Sequence, residues 1–207
     1  MVWAFDKQVA EVFPSHARAH IPNYDEIIEQ AVDICRLYGL DASIIDVGVA
    51  TGETITRLHQ AGFRNLVGVD NSQDMLDKCP QHIAKLIKSD GFPEGQYDVV
   101  IINWTLHFMR GKQEYLERVY GQLRQGGTLV LSEKTSTEDL PKKFYYEFKK
   151  RRGVSEIEIQ KKEDALKSAM FVDDIPWYFD VLKAVGFGKV YIANAFWAFT
   201  TFVCIKE

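Results

Sequence analysis

Three carboxylates, Asp46, Asp70 and Asp90, each close a stretch that reads as a β-strand. Ile44-Ile45-Asp46 is an apolar, β-branched run ending in an acid, and Leu66-Val67-Gly68-Val69-Asp70 repeats the pattern. Ligand crevices of parallel sheets open at the carboxyl ends of strands, so acids at three such ends share one rim. Asp70 falls about twenty residues beyond a turn of small residues, the interval at which a carboxylate can accept both ribose hydroxyls. That turn, Gly48-Val49-Ala50-Thr51-Gly52, lets backbone approach a ligand and opens a helix whose first N–H groups are free. Its spacing, Asp-x-Gly-x-Ala-x-Gly, matches neither the dinucleotide Gly-x-Gly-x-x-Gly nor a Walker loop. Many glycine turns only close a βα corner, and an acid after a strand can simply open the next helix. Placed together, the two favour a bound nucleoside. Carboxylates suit a pyrophosphate poorly, so that nucleoside is uncharged or cationic at that end.

Three more side chains belong to the same edge. Asn103 ends the most apolar strand pattern, residues 97–104, where an amide can hold a ligand or a backbone. His107 follows and is the histidine best placed for proton transfer, although a core or surface histidine is the commoner role. Tyr24 stands at a joint between two helical stretches, where it either stacks on a ligand or fills the core. His16, His20, His59 and His82 show no mutual spacing that would build a metal site, so no metal is expected.

The elements that must position these groups follow from periodicity. One short helix from Asp6 closes at Pro14, and a second spans 25–38 with Gly39 as its C-cap. Strands are expected at 44–47, 66–70, 84–89, 97–104 and 128–133, with helices at 53–62, from Ser72 to about 83, and at 112–125. Residues 141–167 change character: Phe144, Tyr145, Tyr146 and Phe148 interleave with Lys, Arg and Glu. They read as a helical insertion, with Lys149-Lys150-Arg151-Arg152 on a solvated face. A helix over 172–185 and paired strands at 189–195 and 199–205 finish the chain. The fold class is α/β: a doubly wound, mostly parallel sheet in one domain over residues 1–207.

Composition narrows the function. The chain has 207 residues, 46% of them hydrophobic, enough for one full-sized core. A net charge of −4 argues against a general electrostatic grip on nucleic acid. No apolar run approaches the ~20 residues that span a bilayer, and the acidic start is not a signal peptide. Cys35, Cys79 and Cys204 are distant and odd in number, as expected of reduced thiols in a cytoplasmic protein.

The order of elements resembles class I S-adenosylmethionine-dependent methyltransferases, whose seven-stranded sheet ends in an antiparallel pair. More narrowly, the chain is similar to the carboxy-S-adenosylmethionine synthase family, enzymes of tRNA wobble-uridine modification. The resemblance runs from Phe5 nearly to the C-terminus. It rests on Phe5-Asp6-Lys7-Gln8-Val9-Ala10-Glu11-Val12-Phe13-Pro14, Ile21-Pro22-Asn23-Tyr24, Val69-Asp70-Asn71-Ser72, Asn103-Trp104-Thr105-Leu106, Leu131-Ser132-Glu133-Lys134 and Ser155-Glu156-Ile157-Glu158-Ile159. It implies S-adenosylmethionine as cofactor, with contacts at Tyr24, Gly48, Val49, Ala50, Asp70, Asn71, Asp90, Gly91 and Asn103. It also implies prephenate as carboxyl donor and a homodimer.

One departure bears on the reaction. The family's arginine for the ligand carboxylate aligns on Glu163, which repels a carboxylate, and Lys161 and Lys162 would face elsewhere on the helix. Val154 stands where the family has tyrosine. The expectation is therefore methyl transfer from S-adenosylmethionine to a small-molecule acceptor, with His107 and Glu163 as candidate acceptor-side residues. The alternatives are carboxy-S-adenosylmethionine synthesis and a protein that binds S-adenosylmethionine without turning it over. The aromatics of the insertion exceed one inward stripe, which suggests a homodimer interface.

Overall fold

A computed structural model describes residues 4–207. Seven strands form one sheet in the order β3-β2-β1-β4-β5-β7-β6. They are β1 (Ile44–Val47), β2 (Leu66–Asp70), β3 (Lys85–Lys88), β4 (Tyr97–Asn103), β5 (Leu123–Lys134), β6 (Lys189–Phe196) and β7 (Phe199–Ile205). The first five run parallel, while β7 pairs antiparallel with both β5 and β6. Alternation sorts the side chains of β4 between two cores. Val100 and Ile102 pack with Leu116, Tyr178 and Leu182 on one face. Val99 and Ile101 pack with Ala31, Val32, Ile55 and Leu58 on the other. Truncating one of these buried isoleucines to alanine costs about 2–5 kcal/mol.

The helices are α1 (Lys7–His20), α2 (Tyr24–Arg36), α3 (Glu53–Gln60), α4 (Gln73–Leu76), α5 (Lys112–Gln122), α6 (Asp139–Arg151), α7 (Glu156–Leu166) and α8 (Ile175–Val185). Among the described residues none is long and apolar enough to cross a membrane. Several boundaries differ from expectation. Pro14 lies inside α1 rather than ending it. It sacrifices one hydrogen bond, while Ala10, Ala17 and His20 remain buried along the helix. Ser72 caps α4 through the N–H of Met75 at 3.3 Å, but the helix stops after one turn because Pro80 cannot continue it. Gly39 lies past the end of α2, whose C-cap is Leu37. β5 starts at Leu123 and passes through the glycine pair expected to precede it, with a register shift opposite Tyr97 and Val99.

The insertion folds into α6 and α7, the latter opened by a Ser155–Glu158 capping box. Its aromatics mostly meet the parent sheet: Tyr145 packs edge-on to Phe199 at 5.1 Å, and Phe148 edge-on to Phe196 at 6.5 Å. Phe144 stacks on Trp197 at 3.8 Å, and both stay partly exposed. The three cysteines are buried and unpaired.

Candidate functional site

Strands β1 and β4 are neighbours whose following chains lead to opposite halves of the sheet, so a crevice opens at their carboxyl ends. A cavity of about 830 Å³ fills it, within the ordinary range for small-molecule sites. Asp46, Gly48, Val49, Ala50, Asp70, Asn71, Asp90 and Asn103 border it, and Tyr24 closes it from α2. Gly91 lies outside this wall and donates its N–H to Ser89 Oγ at 3.0 Å.

The acids differ in environment. Asp46 is buried at the end of β1, and burial with Asp70 nearby pushes its carboxyl up to about 8. Asp70 Oδ2 accepts the N–H of Ala50 at 2.9 Å, and Oδ1 accepts that of Ser72 at 2.8 Å. Burial raises its carboxyl, and these backbone donors pull the other way. Asp70 thus ties the glycine turn to the start of α4, and each oxygen keeps a lone pair for a ligand.

Gly48 and Gly52 take left-handed conformations, with φ of +73° and +87°, and Ala50 joins them at 47°. A Cβ on Gly48 would fall 2.1 Å from Thr105 Oγ1. That hydroxyl is fixed by donation to the carbonyls of Asn103 at 3.0 Å and Val47 at 3.2 Å. The glycine is therefore required by the protein itself as well as by a ligand.

Asn103 is 8% exposed, yet neither amide atom has a partner among the described residues. Leaving such a group buried and unmet costs about 1–3 kcal/mol, which a ligand in the cavity would recover. Trp104 Nε1 and Thr51 Oγ1 are unmet in the same way and line the same space. The Tyr24 ring stacks on Trp104 at 4.9 Å, and Arg18 covers Tyr24 at 5.5 Å.

His107 borders the cavity with its Nδ1 2.5 Å from Glu133 Oε2. Glu133, fully buried on β5, also accepts the backbone N–H groups of Thr105, Leu106 and His107 at 2.8–3.0 Å. One carboxylate therefore fixes the whole segment after β4. In the sequence Glu133 stands at the end of the expected fifth strand and inside a matching string, and an acid closing an apolar strand is the signal that could have singled it out.

The opposite side of the cavity comes from β5 and the insertion. Lys134, Lys142, Tyr145, Tyr146, Lys149 and Glu163 all border it. Glu163 is not a bare charge: it pairs with Lys142 and accepts a hydrogen bond from Tyr146. Lys149 is 4% exposed, contrary to the solvated face expected for the basic run, while Lys150, Arg151 and Arg152 are exposed. Lys142, Tyr145, Tyr146 and Lys149 stand at i, i+3, i+4 and i+7, one face of α6, a period that composition alone hides. Burial pushes the Lys149 and Lys162 amines down to about 7, with neighbouring lysines adding to the shift. Lys162 borders the cavity and meets His16, whereas Lys161 lies at a separate, shallower groove. No cluster of three or more His, Cys, Asp or Glu among the described residues is placed to hold a metal.

Comparison with known proteins places this geometry. A methyltransferase domain family model matches residues 45–131. The carboxy-S-adenosyl-L-methionine synthase of Sodalis glossinidius is 31% identical over 99% of this chain and 91% of its own length. That of Desulfotalea psychrophila is 33% identical, over 98% and 91%. The chain belongs to the carboxy-S-adenosylmethionine synthase family. Like that family, it has a class I methyltransferase fold and is an S-adenosylmethionine-dependent transferase. A methyltransferase from Thermotoga maritima, described as a possible histamine N-methyltransferase, superposes with a TM-score of 0.71 at 15% identity, covering 99% of both chains. The magnesium protoporphyrin IX methyltransferase of Synechocystis with bound SAH gives 0.66 at 14%, covering 98% of this chain and all of that one. At these identities the two structures attest the fold of this family member.

Proposed function

We propose that the cavity binds S-adenosylmethionine along the strand-end rim and presents its methyl group to a small-molecule acceptor on the insertion side. The unmet amide of Asn103, buried between β1 and β5, is the observation that carries this reading. Asp70 is assigned to the ribose hydroxyls, Asp90 to the adenine amino group, and the Gly48–Ala50 turn with Asp46 to the amino acid part; Tyr24 and Trp104 cover the ligand. When bound, the cofactor supplies an activated methyl on a sulfonium, a cation that suits a carboxylate-rich rim. The chain's own task is then to align acceptor and methyl carbon, which asks for positioning more than for an acid–base pair. Calorimetry with S-adenosylmethionine and its demethylated product tests this; no heat from either sinks the reading.

A second reading, carboxy-S-adenosylmethionine synthesis with prephenate, gains support from the wall itself. Lys142 neutralises Glu163, and Lys134 and Lys149 leave that side of the cavity with an excess of basic groups. Mass spectrometry after incubation with S-adenosylmethionine and prephenate separates the two, since only synthesis yields the carboxylated product. We also propose a homodimer through the exposed Phe144–Trp197 stack. Light scattering that returns the monomer mass of 23.7 kDa overturns it.

A further inference from the structure

Lys149 combines features that neither methyl transfer nor cofactor binding uses. It is almost fully buried, yet it borders the cavity. Its Nζ lies 4.1 Å from the Tyr145 ring centroid and 4.5 Å from that of Tyr146. It makes no hydrogen bond or ion pair among the described residues, because Glu163 is taken by Lys142. The charged groups around it are mostly of its own sign: Lys134 from β5, Lys142 from α6 and Lys162 from α7, with His20 on α1 and Glu163 on α7. A buried lysine held between two rings with no counter-ion, and crowded by other cations, holds its proton weakly and offers a nucleophilic amine near neutral pH. The ring faces that hold it are also where a cationic nitrogen is favoured.

We propose that Lys149 is an imine-forming lysine whose amine condenses with the carbonyl carbon of a small anionic aldehyde or ketone admitted to the insertion side of the cavity. The anionic character of the partner follows from Lys134, which borders the cavity beside Lys149 and is not spent on Glu163 as Lys142 is. In the step, a C–N bond forms and the carbonyl oxygen leaves as water with the two amine hydrogens. A proton from solvent then gives the iminium, which rests between the two tyrosines. No oxidant or reductant takes part. This activity is independent of S-adenosylmethionine, so either assignment can fail while the other stands.

The test uses the full-length protein with pyruvate and sodium cyanoborohydride at pH 7, which reduces the imine to a stable amine, followed by peptide mapping. The expected result is one dominant adduct on Lys149, with about tenfold or more labelling over the exposed Lys7 and Lys88. Trapping on Lys149 should rise to half its maximum near neutral pH. Lys134→Met leaves the nucleophile in place but removes a like charge, so this midpoint should move to higher pH. An unlabelled Lys149, labelling spread evenly over surface lysines, or a midpoint that Lys134→Met leaves unmoved overturns the proposal. Because wild-type labelling and its pH dependence decide it alone, a variant that fails to fold does not rescue it.

Discussion

The two sides of the cavity carry opposite charge and were built by different means. The rim is made of strand ends and a turn: Asp46, Asp70 and Asp90, with backbone held in left-handed conformations. The wall is made of helix faces: lysines and tyrosines of α6 and α7 against the end of β5. Strand ends fix atoms through the hydrogen-bond ladder, so the rim is rigid and suits a ligand common to the fold. Helix faces exchange side chains without altering the ladder, so the wall is where members of one fold can differ in what they transfer to. In the function proposed above, the rim takes the cofactor and the wall the acceptor.

The sharpest way to break the rim is Gly48→Ala. Its Cβ would meet the fixed Thr105 hydroxyl, and alanine is strained at this positive φ. We expect loss of measurable S-adenosylmethionine binding together with a lowered melting temperature. The Gly48→Ala, Thr105→Ala double variant removes the hydroxyl and the methyl, which would lie 2.1 and 2.9 Å from the new Cβ, and should regain part of the stability. Full binding by the single variant would show that the turn does not approach the ligand. Asp70→Ala comes next. Removing a charged, partly buried acceptor costs about 1.5–3 kcal/mol, so calorimetry should show binding weakened tenfold or more. An unchanged affinity would leave Asp70 as a tie between Ala50 and Ser72 and nothing more.

The same contrast explains what could be read beforehand. Strand-end acids, the glycine turn and Asn103 are legible because period-two patterns locate strand ends, and function clusters there. Lys149 reads as solvated in sequence because its neighbours Lys150, Arg151 and Arg152 dominate a local charge count, whereas burial depends on the face of α6. The role of Glu133 is not legible, because its four hydrogen bonds to the segment after β4, more than twenty-five residues earlier in the chain, leave no trace in spacing. Glu163 was legible as a position, but its charge was not: Lys142 lies on another helix, and the pairing exists only after folding.

The charges also predict opposite pH responses. Asp46 titrates near 3.8 in the unfolded chain and near 8 in the folded one, so between those values only the unfolded state loses this proton. Its contribution to stability therefore falls as pH rises from about 4 to 8. Lys149 and Lys162 titrate near 10.5 unfolded and near 7 folded, so their contribution climbs from about pH 7 to 10. In thermal melts, Asp46→Asn should flatten the acid-side decline, and Lys149→Met the alkaline-side rise. A pH profile indifferent to both substitutions would mean that neither group is as enclosed as the fold indicates.

The smallest effect is expected at Glu163. Were it unpaired, Glu163→Arg would exchange repulsion for a bidentate carboxylate pair. Lys142 and Tyr146 already offset its charge, so the exchange starts from a wall that is positive overall. Arginine there adds one cation and releases Lys142, and it also crowds Lys134, whose amine is held down by burial and by Lys142. The gain in affinity for carboxy-S-adenosylmethionine relative to S-adenosylmethionine should therefore stay near the value of one surface ion pair, about 0.2–1 kcal/mol, a few-fold at most. Competition binding with both ligands measures it. A shift of a hundredfold would show that Glu163 faces the ligand unshielded and that its pairing with Lys142 opens when the cavity fills. No shift at all would place the transferred group nearer Lys149 than α7, and the substitution to compare next is Lys149→Met.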